Sequence, residues 1–431
     1  MRKSKGRIGR GAALALGVLL LAGSTAAEAK ENESLYLYIE DSTEEEYRVV
    51  FDAYREAYPE VDLQIDTYSS SEYREARTKR NTMLMAGEGP DLLLFGIYDN
   101  DDVYKVMDSG LFAPLDELMA ADEAYNSEGY VKNVLDAGIF GSSQYMIPLQ
   151  YDVSCLISSR ECLEEIGFDL EACGTFEGLF SQVAALYDTD YSYRVLGRSG
   201  TFDNFPDKMG VKLLDYETDE VLVDTPEMKT AMEQYKKMYE ECTTDPNLET
   251  NGFSDTGRAI CERTAYLAAG YGMYDTLSVC RGISETETPV ILPVPTLDGR
   301  NSGAIVSSAA VRANSENKEN AWNMIRMLLE YQAQGVGLNG VYFPVNLEGL
   351  QYVEDAALRD VELYESGGEI SQEILEDYRR LIQEPEYVYF FRGITMTDFT
   401  GGEMVPYFTG AATYEECMER YIEYAKIYVS E

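Results

Sequence analysis

MLMAGEGPDLLLF, residues 83–95, decides how the chain folds. A helix-like stretch runs into Gly87-Glu88-Gly89-Pro90; one acid follows, Asp91, and then four apolar residues in a row, Leu92 to Phe95. Glycine accepts the left-handed backbone that ends a helix, and proline can neither continue a helix nor donate a main-chain hydrogen bond. A short, wholly apolar run after such a stop reads as a strand buried on both faces. The stretch is therefore a helix-to-strand junction, and GEGPD is first of all a structural turn.

Working outward, LYLYIE (35–40) reads as a first strand and Ser42-Thr43-Glu44-Glu45 as a capping box. Tyr47, Val50, Phe51, Tyr54 and Tyr58 then recur at helical spacing, and VDLQI (61–65) alternates as a second strand. Residues 71–86 read as a helix, and LLLF as the third strand. The order β-α-β-α-β implies a parallel sheet with right-handed crossovers. In open sheets of this kind ligands bind beyond the carboxyl ends of the strands. Residues 96–99, rather than the GEGPD turn itself, should therefore face a ligand, and Glu40-Asp41-Ser42 should share that edge.

Downstream, QYMIPLQYDVSCLISS (144–159) reads as strand, proline turn, strand. Residues 288–315 are extended and proline-containing, and Asn314-Ser315 is expected to cap a helix with Ala321, Trp322, Ile325 and Leu329 on its apolar face. GVGLNG (335–340) has the letters of a dinucleotide fingerprint, but it follows a helix where that fingerprint must follow a strand.

The 431 residues correspond to about three average domains, and 45% apolar composition supports a sizeable core. The first ten residues carry five basic groups; thirteen apolar ones (11–23) and Ala27-Glu28-Ala29 follow. Residues 1–29 read as a secretory signal peptide with cleavage before Lys30, a retained anchor being the alternative. Leu21-Ala22-Gly23-Ser24 has the look of a lipoprotein cleavage box with serine in place of cysteine, and a hydroxyl cannot form the thioether. Lipidation is not expected; the protein is expected to be exported, whether extracellular, at the cell surface or periplasmic. The net charge of −42 disfavours nucleic acid and anionic lipid. No histidine is present, which removes Ser-His and Cys-His catalysis and the usual zinc sites. The seven cysteines include no C-x-x-C pair and their number is odd, so at least one is unpaired; Cys155, in an apolar run, reads as core.

Together these stretches resemble the bacterial extracellular solute-binding proteins of ABC transporters, the family 1 type that includes maltose-binding protein. FDAYREAYPEVDLQI (51–65), MLMAGEGPDLLLF, YMIPLQYDVSCLISS (145–159), AYLAAGYGM (265–273) and AAVRANSENKENAWNMIRMLLE (309–330) carry the likeness in order over residues 35–335. The resemblance implies a two-lobed α/β fold, type II periplasmic-binding-protein-like, each lobe a mostly parallel sheet flanked by helices and joined by a hinge. One lobe would take 30–149 with 302–345, the other 150–301 with 346–431. It implies a monomer that captures a carbohydrate, an oligosaccharide, in the cleft between lobes and docks on membrane permease subunits, with no catalysis, cofactor or metal.

Tyrosine is abundant, 34 residues against one tryptophan. Trp322 reads as core, so stacking on a sugar ring falls to tyrosine and phenylalanine, which offer a π-face to the sugar's C–H groups. At positions matching the family's cleft stand Glu40 and Asp41 after the first strand, Tyr98 and Asp99 after the third, and Gln150, Tyr151 and Asp152 at the crossing. Tyr271 follows Gly270 on the late strand, where relatives place an aromatic; Tyr342, Phe343 and Asn346 flank Pro344, and Phe390, Phe391 and Arg392 follow near the end. Rim solvation or core packing is the competing reading for each. A glycoside hydrolase needs two carboxylates at a set separation, and among 77 acids some pair is always close, so that alternative stays open, as does a sensory or scavenging role. A ferric-ion binder with paired tyrosinates fits the motifs poorly.

Overall fold

The computed structural model describes residues 33–96, 103–153, 155–186, 272–332, 340–390 and 402–430, with short pieces at 194–195, 210, 214–215, 218, 220–233, 236, 266–269, 334–336 and 338. The signal segment and Ser24 lie outside the described residues. Among the described residues no helix is long and apolar enough to cross a membrane.

The amino-terminal third alternates as its sequence dictates: β1 (Ser34–Glu40), α1 (Asp41–Ala57), β2 (Asp62–Tyr68), α2 (Tyr73–Met85) and β3 (Leu92–Phe95). β1 pairs in parallel with β2 on one side and β3 on the other. The chain thus steps one way from β1 and returns to its far side, which puts a reversal of strand order between β1 and β3. Helix α1 buries Tyr47, Val50, Phe51 and Tyr54, the stripe its spacing predicts. The expected capping box does not form: β1 runs straight into α1, and the Ser42 hydroxyl turns back to Glu40 Oε1 at 2.9 Å.

The GEGPD turn is bolted to the segment after a distant strand. Gly87 and Gly89 take φ of +76° and +99°. Asp91 is buried, and its carboxylate accepts from Tyr36 N (3.1 Å), Arg312 Nη2 (2.9 Å), Ser315 Oγ (2.6 Å) and Asn317 Nδ2 (3.2 Å). Arg312 also donates to the carbonyls of Gly87 and Pro90, and Asn314 to that of Gly87. A strand starts on an aspartate here because that carboxylate ties β1, β3 and the loop 312–317 together. Ser315 is engaged in that network, and the helix that follows starts at Lys318.

The remaining strands are β4 (Ile139–Phe140), β5 (Ser143–Gln144), β6 (Met146–Val153), β7 (Cys155–Ser159), β8 (Arg194–Val195), β9 (Leu214–Asp215), β10 (Glu220–Val221), β11 (Tyr266–Ala269), β12 (Pro289–Pro293), β13 (Ser302–Val311), β14 (Phe343–Pro344) and β15 (Tyr387–Phe390). Seven strands form the larger sheet, in the order β14-β6-β13-β3-β1-β2 with β15 beside β13; β12-β7-β11-β8 form the second. β13 and β6 run antiparallel through the larger sheet, with register shifts between Ile305 and Ser307 and between Ser307 and Ser308. Pro148 was expected to make a turn, but it lies within β6, opposite Ser308 beside this irregularity, where the missing N–H is tolerated.

Two apolar clusters back these sheets. The first includes the faces of β1, β3, β6 and β13, with Trp322 buried as expected and its Nε1 donating to Asp122 Oδ2 at 3.0 Å. The second joins β7 and β12 to Phe176, Leu179, Phe408 and Tyr421. Residues 365–371, which include Gly367-Gly368, separate two helices, Leu347–Tyr364 and Gln372–Gln383, that contribute Leu350, Val353, Leu375 and Tyr378 to the first cluster. Buried Glu354 pairs with Arg379 between them. The same cluster takes in Cys155 and Cys280, so these helices lie where the two sheets approach.

Candidate functional site

A cleft of about 220 Å³ opens where the strand order reverses. Its walls come from the carboxyl end of β1 (Glu40), the first turns of α1 (Ser42, Thr43, Glu46), the end of β3 (Phe95, Gly96) and the end of β2 (Tyr68). The floor is the irregular stretch of β13 and β6, Val306 to Ser308 beside Leu149 and Gln150, and Tyr342 closes one side. This is the crevice that doubly wound sheets provide for ligands. Tyr68 and Tyr73 bring aromatic bodies with polar tips to the wall, and Ser307 Oγ donates to Gln150 Oε1 at 3.3 Å on the floor.

Ser308 is fully buried, lines the cleft, and its Oγ has no hydrogen-bond partner among the described residues. An unsatisfied buried hydroxyl costs about 1–3 kcal/mol, a cost that a ligand group bonding to it in the cleft would relieve. Glu46 is solvent-exposed at the cleft mouth, and the walls around it still raise its carboxyl above its ordinary value. Burial likewise raises the hydroxyl of Tyr47, so it stays protonated as a donor at neutral pH.

Of the sequence-derived candidates, Glu40, Gln150 and Tyr342 meet in this cleft. Asp41 is exposed at the first position of α1, where its carboxylate accepts Ser42 N–H at 2.8 Å. Tyr151 is fully buried and donates to Ile382 O at 2.6 Å, and Phe343 packs on it with ring centroids 5.6 Å apart. Asn346 is buried, accepts Gly349 N–H at the start of helix Leu347–Tyr364, and donates to Leu329 O. Asp152 is half-buried near the end of β6, paired with Ala304, and Phe390 is buried at the end of β15. Tyr98, Asp99, Tyr271, Phe391 and Arg392 lie outside the described residues.

Sequence reading missed Tyr68, Tyr73, Glu46, Ser307 and Ser308. Tyr68 was within reach, because β2 runs three residues beyond the alternating VDLQI and its carboxyl end belongs to the same edge as Glu40. Glu46 lies one helical turn from Ser42 and Thr43 and shares their face. Ser308 gives no signal: it sits in an apolar strand that reads as core.

A two-lobed mixed α/β molecule with a crevice at such a reversal is a type II periplasmic-binding protein in fold. The bacterial extracellular solute-binding protein family matches residues 40–335, and the chain belongs to that family. Among solved structures it is similar to an ABC transporter solute-binding protein from Thermotoga lettingae TMO bound with alpha-D-tagatose (18% identity, TM-score 0.56, covering 92% of this chain and 100% of that one). It is also similar to the sugar-binding protein MalE from Xanthomonas citri (16%, 0.59, 92% and 97%) and to an ABC substrate-binding protein from Listeria monocytogenes in complex with cycloalternan (12%, 0.56, 93% and 100%). No curated protein matches the sequence.

Proposed function

We propose that the protein is the exported substrate-binding subunit of an ABC importer and that its ligand is a carbohydrate, an oligosaccharide. The observation that carries this is the composition of the cleft at the β1–β3 reversal: tyrosine faces beside carboxylate, amide and hydroxyl groups. A pyranose asks for that mixture, its C–H faces meeting flat rings and its hydroxyls meeting polar groups that hold no strong charge pairs of their own. The family assignment and the sugars bound in proteins of like fold support the same ligand class.

In this reading one lobe is 30–149 with 302–345 and the other 150–301 with 346–431, and they close about 149–152, 300–303 and 344–347. Tyr271, Arg392, Tyr98 and Asp99 complete the cleft, with Tyr271 as a stacking platform. The protein works as a monomer, delivers its cargo to membrane permease subunits, and turns nothing over. The mature chain begins at Lys30 and carries no lipid, because Ser24 offers no thiol.

Thermal shift against free mono- and oligosaccharides tests the ligand class. A sugar at 100 times its Kd adds about 2.7 kcal/mol of stability. A panel of neutral and charged oligosaccharides that leaves the melting temperature unmoved defeats the carbohydrate assignment. Product release from any of them, lost on changing one carboxylate, replaces the binder with a hydrolase.

A further inference from the structure

The electrostatics of the cleft go beyond the ligand class, and they rest on the carbohydrate reading above. Glu46 lines the cleft and makes no hydrogen bond or ion pair among the described residues. Glu40, on the same wall, accepts a hydrogen bond from the Ser42 hydroxyl. None of the described residues lining the cleft is lysine or arginine. The neighbouring groove that shares Tyr68 adds Asp66, Glu72 and Glu75 against Lys79 alone, and Lys79 lies over the Tyr38 ring at 4.4 Å.

One feature pulls the other way. The amino terminus of α1 opens on the cleft, and helix amino termini attract anions. Here that end is already answered from within the chain: Asp41 takes the Ser42 N–H at 2.8 Å, and Glu44 adds a second acid to the first turn. Among the described residues the remaining field on a ligand is that of Glu40 and Glu46, and Asp99 and Arg392, which the proposed cleft adds, carry opposite charges that offset each other. The buried, unpartnered Ser308 Oγ on the floor is an independent sign that a ligand completes the site, and as a hydroxyl it accepts neutral partners equally well.

We propose that Glu46, with Glu40, makes the cleft a charge filter: it admits neutral and amino sugars and turns away uronic, sulfated and phosphorylated ones, Glu46 being the specificity-determining residue. A carboxylate on the ligand would come within about 5 Å of Glu46, and two like charges at that range near a protein surface weaken binding roughly tenfold or more. An ammonium in the same place gains from the same field.

The test uses the mature chain on a glycan array containing neutral, amino, uronic and sulfated oligosaccharides. Calorimetry follows on matched probes that differ by one acid, such as xylotriose with and without a glucuronosyl branch, and unsubstituted gluco-oligosaccharides against oligogalacturonates. The expected result is a bound set of neutral and amino glycans only, with acidic counterparts at least tenfold weaker. Glu46→Gln should narrow that gap by about tenfold while changing neutral binding less, and Glu45→Gln, one residue away and outside the cleft lining, should leave the gap intact. Acidic glycans bound as tightly as neutral ones overturn the filter and leave the carbohydrate reading standing. A gap that survives Glu46→Gln removes Glu46 from the role. An array with no bound glycan overturns the carbohydrate reading, and the filter with it.

Discussion

Replacing Asp91 tests whether the carboxylate that starts β3 serves the fold rather than the ligand. The carboxylate takes four hydrogen bonds, from Tyr36 N, Arg312 Nη2, Ser315 Oγ and Asn317 Nδ2, in a site where its own side chain is 6% exposed and that of Arg312 is 14%. Asp91→Ala strands the donors and leaves the Arg312 charge without its counter-ion. Breaking one partner out of a buried pair costs about 3–5 kcal/mol. Arg312 keeps the Gly87 and Pro90 carbonyls and Asn314 Oδ1, which holds the loss toward the lower end of that range. Asp91→Asn is nearly isosteric but should recover little, since an amide offers one acceptor oxygen and sets an NH₂ against groups that are themselves donors. Urea unfolding of both variants reads the effect, and the double change with Arg312→Ala should lose less than the sum of the singles. Ligand affinity should hold, because Asp91 sits at the amino end of β3 and the cleft at its carboxyl end. A stability loss below about 1 kcal/mol for Asp91→Ala, or a large fall in ligand affinity with stability intact, refutes the structural role.

Two further perturbations probe the turn and the cleft wall. Gly87→Ala should lower stability by about 1–2 kcal/mol from the left-handed backbone alone, and by more than Gly110→Ala, because a Cβ on Gly87 meets Asn314 Nδ2 at 2.9 Å whereas one on Gly110 meets nothing within 4 Å; equal losses by chemical denaturation would show that the Asn314 contact is irrelevant. Glu46→Gln should raise the melting temperature of the ligand-free protein at pH 7 only slightly, because the side chain is exposed and screened by solvent: the cleft walls raise the Glu46 carboxyl, so the fold prefers it protonated, and its contribution is full below the unfolded value of about 4.3 and fades as pH rises through the folded one. The gain should vanish on acidification to about pH 4, and a gain that grows toward low pH would mean the carboxylate is stabilised where it stands.

What the sequence disclosed and what it withheld divide along the range of the interactions involved. Periodicity is local, so the β-α-β-α-β start, the α1 stripe and the Trp322 helix could be read directly, and the rule about carboxyl ends then placed Glu40 at the ligand edge. The GEGPD stretch could be read as a turn, but the use of Asp91 could not, since its partners lie more than 220 residues away for three of four hydrogen bonds. Proximity in sequence to a crossing proved a weak guide to a side chain's direction. Gln150 and Tyr151 are neighbours in β6, and a strand points neighbours to opposite faces; one reaches the cleft and the other donates into the core at Ile382. Tyr342, in the bend just before β14, reaches the cleft, whereas Phe343 within β14 packs against Tyr151. Ser308 is the harder case, because nothing in SAAV marks a serine as unsatisfied. Its place at the cleft floor comes from the irregular pairing of β13 with β6, which no local pattern in the sequence announces. A buried hydroxyl left without a partner beside a cleft is a cost the ligand-free fold carries, and a ligand hydroxyl is the group that would lift it.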